Sequence, residues 1–273
     1  MVLQQVLTCL VRDWTYPASS IRDALVDPVA FRVWKEVSNA IRAKTNGAKA
    51  TQARVWVPGC STGRLALEIL AGLDCTVVAS DESVAMLATL AKIARCHRCY
   101  IHPSAGCLSP GVEGPEGRMR KDEVFLPSKI RSVLQKQPGT RGKLELELRS
   151  LTSQQRAEGE FDAIATLFTL SRVADLPAIV AVMAKSLKPG GVWVNCGPVQ
   201  AHESSQIVGF TFDELVALAE AKGLQVTENK IMEHVEFLPK EMAAGSRDVF
   251  DVQLLMAKKP MPGERSRIYV GAF

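Results

Sequence analysis

The sequence predicts an α/β fold built on a doubly wound, mostly parallel sheet. Residues 55–68 (VWVPGCSTGRLALE) indicate a strand, a glycine turn and a helix, which is the opening βα unit of such a sheet. Residues 76–79 (TVVA) indicate a second buried strand, which leads to Asp81, eighteen residues after Gly63. Residues 144–148 (LELEL) alternate strictly between leucine and glutamate. This pattern is typical of a strand at the edge of the sheet with one face exposed to solvent.

The chain ahead of the first strand is predicted to be a helical cap. Its apolar residues recur at helical spacing, with Pro17 and Pro28 as interruptions, and Asn46-Gly47 closes the segment. We therefore divide the chain into a cap at 1–47, an α/β domain at 48–260 and a tail at 261–273. A Gly/Pro-rich stretch and a basic segment together form an insertion at about 103–143 of that domain.

The later elements follow in alternation and bring the number of strands to seven. The motif LKPGG at 187–191 places glycines where the second-last helix should be capped, and Thr211 and Gly223 are expected to begin and end the last helix. Trp56 and Trp193 lie inside predicted central strands, so their indole N–H groups should need buried partners. The predicted helices are 83–94, 176–187 and 212–221, and the predicted strands are 161–168, 192–196 and an antiparallel pair at 224–231 and 249–257.

Composition favours a soluble protein of the cytoplasm, with the nucleus as the alternative. Apolar residues make up 47% and charged residues 23%, and no apolar run approaches the length of about 18 residues that a membrane span needs. No leader-like start is seen, and seven scattered cysteines favour reduced thiols over a disulfide framework. We expect no membrane association.

Charge and cysteine spacing raise two other functions that the sequence does not favour. Residues 118–143 hold eight basic side chains and two acids, but almost no aromatic residues that could stack on bases, so a solvated insertion is preferred to a nucleic-acid surface. The Cys96–Cys99 pair has no second spaced pair, so we expect no metal. A hydrolase is not supported either, because no G-x-S-x-G elbow occurs.

Residues around the glycine turn suit a nucleotide-like ligand. Gly59 and Gly63 allow the backbone to pass close to a ligand, and Asp81 at the tip of the second strand can accept both hydroxyls of a ribose. The Arg64 guanidinium suits a carboxylate, as in the methionine part of S-adenosylmethionine. The alternative is structural, with Arg64 solvated at the helix start and Asp81 capping the next helix.

With these features in place, the chain resembles class I S-adenosylmethionine-dependent methyltransferases, which have a Rossmann-like fold. Within them it resembles the carnosine N-methyltransferase family, and the GGxWxNxGP…H string is the specific part of that resemblance. The matching segments are 11–15 (VRDWT), 57–66 (VPGCSTGRLA), 100–102 (YIH), 161–166 (FDAIAT) and 190–202 (GGVWVNCGPVQAH).

The resemblance implies transfer of a methyl group from S-adenosylmethionine to a nitrogen atom. His202 would face the acceptor as a hydrogen-bond partner or a base. The cofactor would be held by Gly59, Gly63, Arg64, Asp81, Ser150, Leu151 and Leu167.

Three departures from the family pattern affect the expected contacts to the cofactor and to the acceptor. Where the family has an aspartate for the adenine amino group this chain has Ser150, and where it has a substrate-binding and catalytic carboxylate this chain has Ser171, followed by Arg172. Tyrosines of the family's substrate pocket correspond to residues 248–250. The candidate catalytic residues are therefore Ser171 and His202, and the candidate substrate-binding residues are Arg172, His202, Asp248 and Phe250. Carnosine itself is not the expected acceptor, and Arg172 favours a more anionic one.

We therefore expect an S-adenosylmethionine-dependent N-methyltransferase acting on a small imidazole, amine or peptide-like acceptor. The lost carboxylate keeps open an inactive, methyltransferase-like binding protein. The basic insertion is the only support for RNA methylation. Against it, the chain lacks a tetrad after the fourth strand that would position a flipped base. The oligomeric state is left open.

Overall fold

The computed structural model describes residues 9, 26–44, 52–95, 100–101, 122–123, 142–151, 156–199, 210–236 and 249–264. Nine strands are found among these residues: β1 (Arg54–Pro58), β2 (Thr76–Asp81), β3 (Tyr100–Ile101), β4 (Asp122–Glu123), β5 (Leu144–Leu148), β6 (Phe161–Leu167), β7 (Leu187–Gly197), β8 (Gln225–Glu236) and β9 (Val249–Lys258). The helices of the same residues are α1 (Val26–Lys44), α2 (Arg64–Gly72), α3 (Val84–Arg95), α4 (Leu176–Ser186) and α5 (Phe212–Ala221), and a 3₁₀ turn (Leu170–Arg172) follows β6.

Seven strands form one sheet in the order β5-β2-β1-β6-β7-β9-β8. The pairs from β5 to β7 are parallel, and β9 runs antiparallel to both β7 and β8. The predicted seven-stranded, mostly parallel, doubly wound sheet is confirmed, and so is the antiparallel direction of the last strand. β3 and β4 form a separate antiparallel pair.

The strand period of two divides the core into two layers, one on each face of the sheet. On one face α1, α2 and α3 cover small aliphatic residues such as Val55, Val77 and Ala163. On the other face α4 and α5 cover larger residues, including Trp56 and Trp193. Both indoles are fully buried, and each finds the partner that burial requires: Nε1 of Trp56 donates to Ser80 Oγ at 2.8 Å, and Nε1 of Trp193 donates to Thr166 Oγ1 at 3.0 Å.

The N-terminal cap supplies one of these helices. α1 packs on β6, β7 and α2, and buries Val33, Val37 and Ile41. Pro28, which the sequence predicts to interrupt this helix, lies in its first turn, where proline is tolerated because no intrahelical N–H bond is lost. This helix continues past Pro28 without a break, and the interruption of the longer segment stays a prediction, because residues 10–25, including Pro17, lie outside the described residues.

The ends of the later helices follow their capping chemistry, with one exception. Thr211 and Glu214 form a reciprocal capping box at the start of α5. By contrast, Gly190 and Gly191 do not cap α4, which ends at Ser186 with an extended Leu187 behind it. Leu187 already pairs with Phe161, and Gly190 N donates to Lys259 O at 2.8 Å, so strand pairing occupies the LKPGG segment. The prediction of a glycine C-cap was therefore wrong.

No helix in the described part of the chain is both long and apolar enough to span a membrane. The boundaries of the cap, the domain and the tail stay predictions, since most of the 103–143 segment and residues 265–273 lie outside the described residues.

Candidate cofactor and acceptor site

The glycine turn between β1 and α2 is packed against Thr169, the second residue after β6. Gly59 has φ +61°, and a β-carbon there would lie 2.6 Å from Thr169 Cγ2. Thr169 in turn donates from Oγ1 to Pro58 O at 3.3 Å. The turn is closed by Gly63 N, which donates to Cys60 O at 2.9 Å. Only glycine fits at position 59, because any side chain would need both a left-handed backbone and the space of Thr169.

Asp81 ends β2 and faces this turn. Its Oδ2 accepts a hydrogen bond from Ser61 N and its Oδ1 one from Ser83 N, both at 2.9 Å. A carboxylate has about four lone-pair positions, so each oxygen can accept a further hydrogen bond. Burial raises the pKa of Asp81, while the two backbone N–H groups and the charge of Arg172 act in the opposite direction.

A cavity of about 360 Å³ lies at the carboxyl ends of β5, β2, β1 and β6. Ligands of open α/β sheets bind at this edge. The predicted site residues that line it are Gly59, Asp81, Ser150, Leu151, Leu167 and Arg172, and the other lining residues are Cys9, Ser61, Glu82, Ser83, Met86, Arg149, Phe168, Thr169, Val173 and Ala174.

Two residues predicted to hold the cofactor do not line this cavity. Arg64 is 9% exposed and pairs with Glu68 of its own helix, with Nε and Nη2 at 3.0 and 2.9 Å from Oε1. A β-carbon on Gly63 would lie 2.2 Å from Leu90 Cδ1, so this glycine serves the contact between α2 and α3. Direct cofactor contacts by Arg64 and Gly63 stay predictions without support from this geometry.

The acceptor side is described only in part. Arg172 is exposed in the 3₁₀ turn and lines the cavity, whereas Ser171 beside it is half-buried and does not. Phe250 is described through its backbone in β9, where it pairs with Val235. His202 and Asp248 lie outside the described residues, as does the Cys96–Cys99 pair. No group of metal-ligating side chains is found among the residues that the structure describes.

Several lining residues were missed by sequence reasoning. Ser61 lies within the glycine turn and could have been inferred from its position. Phe168 follows a buried strand and has φ +53°, which no periodicity indicates. Cys9 packs on Met86 with an exposed fraction of 5%, although 77 residues separate the two in sequence. Only the tertiary structure brings Cys9 to the cavity.

Solved structures share this fold at low sequence identity. The magnesium protoporphyrin IX methyltransferase of Synechocystis with bound SAM matches with a TM-score of 0.51 and 11% identity, covering 86% of this chain and 82% of that one. The cyclase SpnF matches with a TM-score of 0.54 and 14% identity, covering 83% and 81%. The fold is thus that of class I methyltransferases. Because a cyclase also adopts it, the fold alone does not define the activity.

Sequence relatives identify the family more specifically than the shared fold does. The carnosine N-methyltransferase of Dictyostelium discoideum is 26% identical over 236 residues, which is 84% of this chain and 49% of that protein. The chain therefore spans about half the length of the curated relatives it matches. A family profile described as carnosine N-methyltransferase matches residues 1–245. With that match over most of its length, the chain belongs to the carnosine N-methyltransferase family.

Proposed function

We propose that this chain binds S-adenosylmethionine and transfers its methyl group to a nitrogen of a small acceptor. The observation that supports this most directly is the Asp81 carboxylate, which lines the cavity, is hydrogen-bonded to the glycine turn at Ser61, and keeps acceptor capacity on both oxygens. Family membership supplies the reaction class, and the cavity supplies a site of suitable chemistry.

The residues at the cavity fit the cofactor. Asp81 offers an acceptor for ribose hydroxyls, and the bare backbone at Gly59 leaves room that a β-carbon would fill. Ser150 and Leu151 follow β5, next to β2, and would contact the base. When bound, S-adenosylmethionine supplies an electrophilic methyl group on a sulfonium.

The chain's own contribution is positioning. Leu167, Phe168 and Thr169 form the wall after β6 and exclude water from one side of the cavity. Holding two reactants in a fixed orientation is the main rate gain available for a displacement of this kind. The acceptor nitrogen has to be unprotonated to attack. We keep His202 as the candidate proton-accepting partner and Ser171 as a candidate hydrogen-bond partner, although Ser171 does not line the described cavity.

We further propose that the acceptor carries a negative charge near its nucleophilic nitrogen. Arg172 lines the cavity after β6, and it directly follows Ser171, the position at which the family has a carboxylate. Among the described lining residues after β6, Arg172 carries the positive charge. A guanidinium binds a carboxylate through two parallel hydrogen bonds. Asp248 and Phe250 stay candidates for contacts to the acceptor's other end.

The first test is calorimetric titration with S-adenosylmethionine and S-adenosylhomocysteine. Asp81→Asn should weaken both ligands about tenfold or more, since charged hydrogen bonds are lost. Asp162→Asn is the matched control: Asp162 also accepts a backbone N–H, from Arg54 at 2.9 Å, and it pairs with Lys188 away from the cavity. It should leave both affinities unchanged.

Acceptors are then screened by mass spectrometry for methylated product, using imidazole dipeptides, free histidine and amines with and without a carboxylate. Product from carboxylate-bearing imidazoles, reduced by Arg172→Ala, would support the acceptor assignment. Absence of binding of either cofactor form to the wild-type protein would contradict the proposal and favour a methyltransferase-like interaction protein.

A further inference from the structure

Phe168 is held in a backbone conformation that costs free energy. Its φ is +53°, in the left-handed region that non-glycine residues rarely adopt. Among the residues that the structure describes, Ser61 is the other non-glycine residue with positive φ, and it also lines the cavity. Strained backbone persists where the surroundings enforce it, and it concentrates at functional sites.

Two neighbouring segments enforce this conformation. Phe168 N donates to Cys196 O at 2.9 Å, at the end of β7. Gly197 leaves the necessary space, because a β-carbon there would lie 2.9 Å from both Cα and N of Phe168. On the other side, the Thr169 hydroxyl is bonded to Pro58 O at the end of β1. The ends of β7 and β1 thus hold the backbone of Phe168 and Thr169 in one place.

That place is the wall of the cavity opposite its adenosine side. Strand order puts β5 and β2 on one side of β1 and β6 on the other. If Asp81 holds the ribose and the residues after β5 contact the base, the sulfur end extends past Gly59 toward β6. Phe168 follows β6, lines the cavity and is only 8% exposed, so a charge beside its ring would be largely removed from water.

We propose that Phe168 is the specificity-determining residue for the sulfonium, with its aromatic ring recognising the positive charge of S-adenosylmethionine. Cations are attracted to the face of an aromatic ring, and more strongly when desolvated. The demethylated product is neutral at sulfur and loses this attraction, so the ring would favour the methyl donor over the product. This inference rests on the proposed function.

The test is the ratio of the two binding constants, measured by calorimetry on wild-type protein and Phe168→Leu. We expect Phe168→Leu to weaken S-adenosylmethionine about three- to thirty-fold, while the affinity for S-adenosylhomocysteine changes less than about twofold. Val173→Ala is the matched control, because it removes apolar volume from the same lining without removing a ring. It should change both affinities by the same factor.

Replacing Phe168 by a trifluorinated phenylalanine keeps the ring and its shape but withdraws charge from its face. The S-adenosylmethionine affinity should then fall selectively, which tests the inference even if Phe168→Leu does not fold. An unchanged ratio in the fluorinated protein, or equal losses for both ligands, would overturn it. Failure of wild-type protein to bind either ligand would instead overturn the proposed function, and this inference with it.

Discussion

At the scale of single residues, the Asp81 carboxylate has a structural task and, under the proposed function, a ligand-binding one. Its two backbone hydrogen bonds hold the turn at Ser61 to the start of α3 at Ser83. They use one lone pair on each oxygen and leave the others toward the cavity. The sequence analysis set a ribose-binding acid against a helix-capping acid as alternatives, whereas the geometry allows both tasks together.

The raised pKa of Asp81 predicts how ligand affinity depends on pH. Burial is its main cause, so free protein keeps a proton on Asp81 to a pH above the ordinary aspartate value of 3.8. Ribose hydroxyls bind the ionised form, and affinity for S-adenosylhomocysteine should therefore fall as pH decreases through that raised pKa. The loss should reach about tenfold per pH unit below the midpoint.

Calorimetry from pH 8 down to the ordinary aspartate pKa of 3.8 measures this dependence. Asp81→Asn serves as the reference, since its weaker binding should show no such transition. A wild-type affinity that stays constant across this range would contradict the assignment.

At the scale of elements, the described parts of the connection from β5 to β6 cover the sheet with a side chain. Residues 149–151 and 156–160, the described parts of that connection, contain no helix. The sheet face over Trp56 is covered there by the Arg156 guanidinium, which lies 4.6 Å from the Trp56 ring centroid and 5.2 Å from that of Phe161. Arg156 also pairs with Glu147 of β5, so one side chain joins the edge strand to the core.

Removing this side chain should destabilise the fold more than removing its exposed counterpart. Arg156→Ala leaves Glu147 without its main partner and uncovers Trp56, so we expect the free energy of unfolding to fall by about 2–4 kcal/mol. Arg149 is the control: it also approaches Glu147, at 3.9 Å, but its side chain is 47% exposed. Arg149→Ala should cost less than about 0.5 kcal/mol.

Urea unfolding followed by tryptophan fluorescence measures the free energy of unfolding of both variants, because the fluorescence of Trp56 changes when its buried environment is lost. Equal losses for the two variants would show that the stacked guanidinium adds nothing beyond an exposed ion pair.

At the scale of the whole molecule, the two-layered core encloses thiols that cannot ionise readily. Burial, helped by the charges of Asp74 and Asp162, raises the pKa of Cys75 to about 12. Burial, together with the charge of Asp81, also raises the pKa of Cys60 far above its ordinary value. Since the thiolate is the reactive form, both cysteines should be inert in the folded protein.

Alkylation kinetics then report on opening of the fold. At pH 8, iodoacetamide should label Cys60 and Cys75 at least about a hundredfold more slowly in native than in urea-unfolded protein. S-adenosylhomocysteine should slow the labelling of Cys60 further, because a bound ligand stabilises the folded state. Peptide mass spectrometry separates the cysteines, and native labelling at the unfolded rate would contradict the burial of these thiols.

The sequence by itself determined the fold class and most element positions, and it predicted a nucleotide-binding role for the first two βα units. These follow from short-range rules: strand and helix periods, the glycine turn, and an acid after β2. The same rules predicted that β5 lies at an edge, which is confirmed, and they placed Trp56 and Trp193 in the core. They failed at Gly190 and Gly191, where pairing between strands overrides local capping preference.

Only the tertiary structure decided which side chains meet at the cavity. Cys9, Met86 and Phe168 lie far apart in sequence and converge because the order of the strands, not their sequence spacing, sets which ends are neighbours. It likewise gave Phe168 its strained conformation, through contacts with Cys196 and Gly197 at the end of β7. Local pattern specifies elements, whereas a site at the edge of a sheet depends on long-range packing between them.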